Sequence, residues 1–208
     1  MSDLDALRYQ SRPASGEAAG ALVLLHGRGA DENDLFPLLD AFDPERRLRG
    51  YTPRAPLSLP PGGAHWYRVP RVGFPDPATF REGYDALVTW FDALPFDAGD
   101  IVLGGFSQGA VMTHALAWGE GRPRLRAVIA MSGFIPTVDG WQPDFAAPFP
   151  PLAIAHGTYD PVIPVDFGRE ARATLEAAGA EVLYLESPIE HSIDPQIVPQ
   201  LQALVASA

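Results

Sequence analysis

The 208-residue sequence contains no cysteine, which excludes disulfides, zinc–thiolate sites and a cysteine nucleophile. Lysine is absent as well: all 15 basic residues are arginine, a compositional bias that carries no mechanism by itself. Positive charge is scarce overall, with 26 acidic residues and a formal net charge of -11. That balance argues against binding a phosphate backbone, which needs a basic patch, so nucleic acid is not an expected partner. Long apolar runs are lacking too. Ala21 to Leu25, the longest near the start, is far too short to span a membrane. Met1 to Asp5 lacks the basic-then-apolar pattern of a secretion signal. The expectation is a cytoplasmic protein with no membrane span.

What remains describes an ordinary globular chain, 47% hydrophobic and 20% charged. Its length suits one domain over residues 1–208 and allows a substantial core. No repeat, linker or low-complexity tail interrupts it. Continuous apolar runs at 21–25, 101–103, 127–131 and 152–155 read as strands buried on both faces, as in a parallel sheet. Residues 6–12 predict an edge strand, 50–53 a short strand and 181–185 the last one. Helical spacing appears at 79–94, 111–116, 165–178 and 195–206, with Gly179 as a C-terminal stop. A further helix is expected to start at Asn33 or Asp34, either a good cap. Residues 54–77 form a long Pro- and Gly-rich stretch, and loops of that length inside a compact domain are usually functional. Alternating strands and helices without hairpin signals predict an α/β fold with a mostly parallel sheet and helices on both faces.

Ligands bind at the carboxyl ends of the strands in such sheets. Four of these strands end in polar, glycine-bearing turns, at His26, Ser107, Ser132 and His156. The segment Gly105-Phe-Ser-Gln-Gly109 follows a strand and opens a helix, matching the G-x-S-x-G pattern of a nucleophile elbow. Strand and helix nearly touch at such a turn, so glycine fits two places before and two after the serine. A plain glycine-rich turn with a helix-capping serine has the same local pattern, so the rest of the chain has to decide.

A serine hydroxyl needs a neighbouring base that a carboxylate orients, in the order Ser, Asp or Glu, His on this fold. Beyond the helical segment that follows Ser107, which contains His114, only His156 and His191 remain. His156 ends a strand directly and reads as support for its turn, which leaves His191 as the base. Asp160, just past a strand end and followed by Pro161, is the favoured carboxylate. Asp139 and Asp144 sit in an irregular loop, and Asp166 reads as a helix cap or surface charge. The backbone N–H groups of Gln108 and Arg28 are the expected oxyanion donors, Arg28 lying in the Gly-flanked loop after the first inner strand. His65 and His114 read as structural or exposed. No metal-ligand spacing joins any histidines, so no metal is expected.

Five segments, His26-Gly-Arg-Gly-Ala-Asp31, Gly105-Phe-Ser-Gln-Gly109, Met131-Ser-Gly-Phe134, His156-Gly-Thr-Tyr-Asp160 and Glu190-His191-Ser192, occur in this order over residues 20–208. Together they resemble the small carboxylesterase/phospholipase-type α/β-hydrolases, the group that includes acyl-protein thioesterases. The resemblance implies an α/β-hydrolase fold and hydrolysis of esters or thioesters through an acyl-enzyme. It also implies Ser107, Asp160 and His191 as the triad, with no cofactor. Relatives are often dimers, which makes a homodimer an expectation, although no self-complementary surface is legible. Two departures bear on the substrate: Arg28 stands where the family commonly has an apolar residue, and Arg68 follows the aromatic pair Trp66-Tyr67 where an acidic residue is frequent. Either arginine would attract a carboxylate or phosphate on a small ester substrate.

The twenty or so residues between the strands at 127–131 and 152–155 are too few for a lid domain. That predicts an open site suited to short acyl chains, lined by Trp66, Phe134 and Ile135; Trp141 reads rather as packing between loop and sheet. The leading reading is a serine carboxylesterase. The alternatives are an acyl-thioesterase or lysophospholipase, and a non-catalytic binding protein on the same fold.

Overall fold

In the computed structural model, which describes residues 3–208, the chain runs through nine strands and five α-helices. They are β1 (Tyr9–Arg12), β2 (Ala21–Leu25), α1 (Leu38–Phe42), β3 (Arg49–Pro53), β4 (Leu57–Leu59), β5 (Gly63–His65), α2 (Pro77–Asp92), β6 (Ile101–Phe106), α3 (Gln108–Trp118), β7 (Ala127–Met131), β8 (Leu152–Gly157), α4 (Asp166–Ala177), β9 (Val182–Ser187) and α5 (Val198–Ser207). Seven strands form one sheet in the order β1-β3-β2-β6-β7-β8-β9. All neighbours pair parallel except β1, which runs antiparallel to β3 at the edge. This is an α/β-hydrolase arrangement, with helices on both faces.

The apolar runs explain the two faces. Side chains alternate along a strand, so Val23, Leu25, Leu103 and Val128 enter one core while Leu22, Leu24, Val102 and Ile129 enter the other. The first core is closed by α2, α3 and α4 through residues such as Trp90, Val111 and Leu175; the second is closed by α1 and α5 through Leu39, Phe42 and Leu201. Each fully buried aliphatic side chain contributes about 1.5–3 kcal/mol, so these central strands form the rigid platform of the molecule. Helix α3 is buried along nearly its whole length, in keeping with a sequence that is apolar almost all round.

Two local expectations are corrected. Neither Asn33 nor Asp34 caps a helix. The Asp31 carboxylate accepts from the Asn33 amide at 2.9 Å, a side-chain turn that holds the chain out of the helix until Leu38. The stretch 54–77 also contains a hairpin, β4–β5, although no hairpin signal is visible in the sequence. Its connection contains a cis Pro60–Pro61 peptide and none of the usual two-residue turn pairs. Residues between β7 and β8 carry no helix or strand.

The topology also places the site. From β2 the chain goes to β3 on one side and later to β6 on the other, so a crevice opens at the carboxyl ends of β2 and β6. Ligands are expected at such a switch point.

Candidate active site

Ser107 sits at that crevice, immediately after β6 and before α3. Its backbone has φ 55° and ψ -120°, a left-handed conformation costing of order 1–3 kcal/mol in a non-glycine residue. Tight packing holds it there. A Cβ at Gly105 would collide with the Gly109 carbonyl, and one at Gly109 with the carbonyls of Leu25 and His26. The Ser107 N–H donates to the Met131 carbonyl on β7 (2.8 Å). Its side chain makes no helix-capping hydrogen bond, which leaves the hydroxyl free for another partner.

That partner is His191. Its Nε2 lies 2.8 Å from Ser107 Oγ, and its Nδ1 lies 2.6 Å from Asp160 Oδ2. A carboxylate only accepts, so Nδ1 carries the proton and Nε2 is left to accept from the serine hydroxyl. Asp160 is buried, and its Oδ1 accepts from the Val162 and Ile163 amides, each at 2.8 Å. The loops bearing Asp160 and His191 are tied together, because the Thr158 and Tyr159 amides donate to the Ser187 and Ile189 carbonyls (2.7 and 3.0 Å). The Phe106 ring, 4.8 Å from the imidazole, closes the other side of His191. Sequence reasoning selects these three side chains from different loops, and the structure brings them into one hydrogen-bonded line.

His156 stands behind this line. Its Nε2–H donates to the Ile163 carbonyl (2.8 Å) and lies 3.5 Å from Asp160 Oδ2. Nδ1 has no hydrogen-bond partner and faces Gly168 of α4. Burial holds the His156 pKa below the ordinary value for histidine. The ring therefore stays neutral and fixes the turn that carries the carboxylate, the supporting position read from the sequence.

The loop after β2 is built with similar care. The first residue of α3, Gln108, has no intrahelical acceptor for its N–H, and the Arg28 N–H has no backbone acceptor among the described residues. The hairpin strand β5 clamps this loop through Gly29 N–H to Ala64 O and Ala64 N–H to Ala30 O, both 2.8 Å. The Gln108 side chain fastens the next segment, accepting from the Trp66 amide (2.9 Å) and donating to the Tyr67 carbonyl (2.7 Å). Buried His26 accepts from the Ala55 amide at Nε2 (3.0 Å), which leaves Nδ1–H for the Gly27 carbonyl (2.7 Å). Burial likewise lowers its pKa.

A cleft of about 290 Å³ opens over Ser107, lined by Arg28, Tyr67, Arg71, Val72, Phe134 and Ile163 among others. A larger hollow of about 700 Å³, lined by Phe74, Phe134, Ile135, Trp141 and Phe167 among others, adjoins it at Gly73 and Phe134. The expected pocket residues thus divide. Phe134 lines the cleft itself, whereas Ile135 lines only the adjoining hollow. Trp66 is a correction: it is completely buried and lines neither space. Its indole N–H donates to the His26 carbonyl (2.9 Å), so it braces the β2 loop from beneath instead of meeting a substrate. Arg68 lies outside the cleft lining, and Arg71 takes that place. Arg71, Val72 and Ile163 were missed in the sequence; their signal, apolar and basic residues in proline-rich loops after strand ends, is weak. Among the described residues no group of three or more His, Asp or Glu side chains is placed to hold a metal, and no helix is long and apolar enough to cross a membrane.

The comparisons with known proteins bear on the family and the fold. Acyl-protein thioesterase 1 of Yarrowia lipolytica is 29% identical over 177 residues, spanning 77% of this chain and 78% of that protein. The Candida albicans acyl-protein thioesterase 1 is 28% identical over 192 residues, with 80% and 82% covered. Among solved structures, esterase PE8 superposes with a TM-score of 0.82 at 28% identity, covering 97% of this chain and 98% of its own. A Bacillus cereus carboxylesterase gives the same TM-score at 24% identity, covering 97% and 94%, and shows the shared fold. The phospholipase/carboxylesterase family profile matches residues 12–207, and the chain belongs to that family of α/β-hydrolases.

Proposed function

We propose that this serine hydrolase cleaves short carboxylic esters through an acyl-enzyme, with Ser107 as nucleophile, His191 as base and Asp160 as its orienting carboxylate. The observation that carries this reading is the continuous line from Asp160 Oδ2 through His191 to Ser107 Oγ at 2.6 and 2.8 Å. Ser107 Oγ attacks the ester carbonyl carbon, and its proton passes to His191 Nε2. The carbonyl π pair moves onto oxygen, where the Arg28 and Gln108 amides stabilise it. Collapse expels the alcohol, which takes the proton from His191. Water then adds to the acyl group, giving a proton to His191. The acyl–Oγ bond breaks, the acid leaves, and the proton returns to Ser107.

The size of the cleft supports short acyl chains, since 290 Å³ lies at the bottom of the range for small-molecule pockets. The adjoining apolar hollow favours a second reading, a long-chain thioesterase or lysophospholipase, in keeping with the thioesterase relatives. Hydrolysis of p-nitrophenyl esters from acetate to laurate separates the two. The short-ester reading predicts kcat/KM falling beyond butyrate, with kcat reduced about a thousandfold or more in Ser107→Ala. A maximum at long chains shifts the assignment to the second reading, and full activity in the variant removes Ser107 from the mechanism.

A further inference from the structure

The lining of the Ser107 cleft is electrostatically at odds with the rest of the chain. The protein has 26 acidic and 15 basic residues, yet the cleft is lined by two arginines, Arg28 and Arg71, and by no aspartate or glutamate. Most arginines elsewhere are occupied. Arg8, Arg12, Arg46, Arg54, Arg122, Arg169 and Arg172 form ion pairs, and Arg47, Arg124 and Arg126 donate to carbonyls. Among the described residues, Arg28 and Arg71 have neither kind of partner for their guanidinium groups. Both are exposed. Arg71 rests over the Phe74 ring at 3.6 Å, a contact that steadies the group while leaving its hydrogen-bond donors unused. Arg68, also exposed, adds positive charge on the same side. Burial is the main reason that the His65 pKa is lowered, and Arg28 and Arg68 lower it further.

We infer that the cleft selects short esters carrying a second, anionic group, a carboxylate or phosphate, which Arg28 and Arg71 bind beside the reacting carbonyl. Planar guanidinium groups pair bidentately with either anion. Free arginines beside a nucleophile in an otherwise acidic molecule draw such a substrate toward the site and repel none of its charge. The inference rests on the ester-hydrolase reading and narrows its substrate class.

Two matched pairs test it: monomethyl against dimethyl glutarate, with the charge on the acyl side, and 4-acetoxybenzoate against its methyl ester, with the charge on the alcohol side. The expected result is a kcat/KM preference of about tenfold or more for the anionic member of at least one pair. The preference should fall toward parity in Arg71→Met and in Arg28→Met, and return in part with Arg71→Lys. Competitive inhibition stronger with glutarate than with inorganic phosphate assigns a carboxylate, and the reverse order assigns a phosphate. Preference for the neutral member of both pairs, or an anionic preference unchanged in both methionine variants, overturns the inference. Hydrolysis of neither member of either pair by the wild type, while p-nitrophenyl acetate is also left intact, instead contradicts the underlying hydrolase reading.

Discussion

Ser107 holds a left-handed backbone because its neighbours leave no alternative, and its hydroxyl meets the only ring nitrogen of His191 that has a free lone pair. Several other histidines serve differently. His26, His114 and His156 are buried, and burial depresses each pKa, that of His114 to about 3. The Nδ1 of His114 accepts from the Trp118 indole at 3.0 Å, so the ring is held neutral in the core. In the unfolded chain each titrates near 6.5. The unfolded state therefore binds more protons than the folded one below that pH, and stability falls as pH drops from about 6.5 toward 3. For His114 alone the loss between pH 7 and 5 is about 2 kcal/mol. Urea unfolding at the two pH values should show a loss of at least that size, and His114→Gln should shrink it by about one proton's worth. An equal loss in wild type and variant would contradict the assignment.

At the scale of elements, the β4–β5 hairpin does what no single residue does: it fixes the loop holding the Arg28 amide. Gly63 lies so close to that loop that a Cβ there would collide with the Gly29 carbonyl. Gly63→Val should therefore displace the proposed oxyanion donor. Since losing one such donor costs about 10²–10³ in kcat, a fall in kcat of at least tenfold is expected. KM and the thermal midpoint should change little, because the hairpin lies outside the main sheet. Unchanged kcat in a folded variant would remove the Arg28 amide from the mechanism.

This element also shows where sequence reading reaches its limit. The central strands are legible because full burial makes them continuous apolar runs, and their ends mark the loops of Ser107, Asp160 and His191. Trp66 is not legible in the same way. Its position depends on a hairpin without the usual turn chemistry and on two distant partners, the His26 carbonyl and the Gln108 side chain. Local pattern contains no record of contacts forty residues apart, so an aromatic in a loop looked like pocket wall and proved to be a brace. The start of α1 was missed for a related reason: the Asp31 side chain, not helix propensity, decides the backbone there.

Across the whole molecule, one sheet buried on both faces carries the β2 and β6 loops at its switch point and the β8 and β9 loops beside them. The site is assembled from loops that are irregular themselves but anchored to rigid strands. Charge follows the same division, with an acidic exterior and an arginine-lined cleft. Activation of Ser107 as a nucleophile by this platform is tested by intact-protein mass spectrometry after reaction with a fluorophosphonate, followed by peptide mapping. A single adduct per chain is expected, on Ser107, formed at least about a hundredfold more slowly in His191→Ala. An unmodified protein, an adduct on another residue, or equal rates in the two proteins would contradict it.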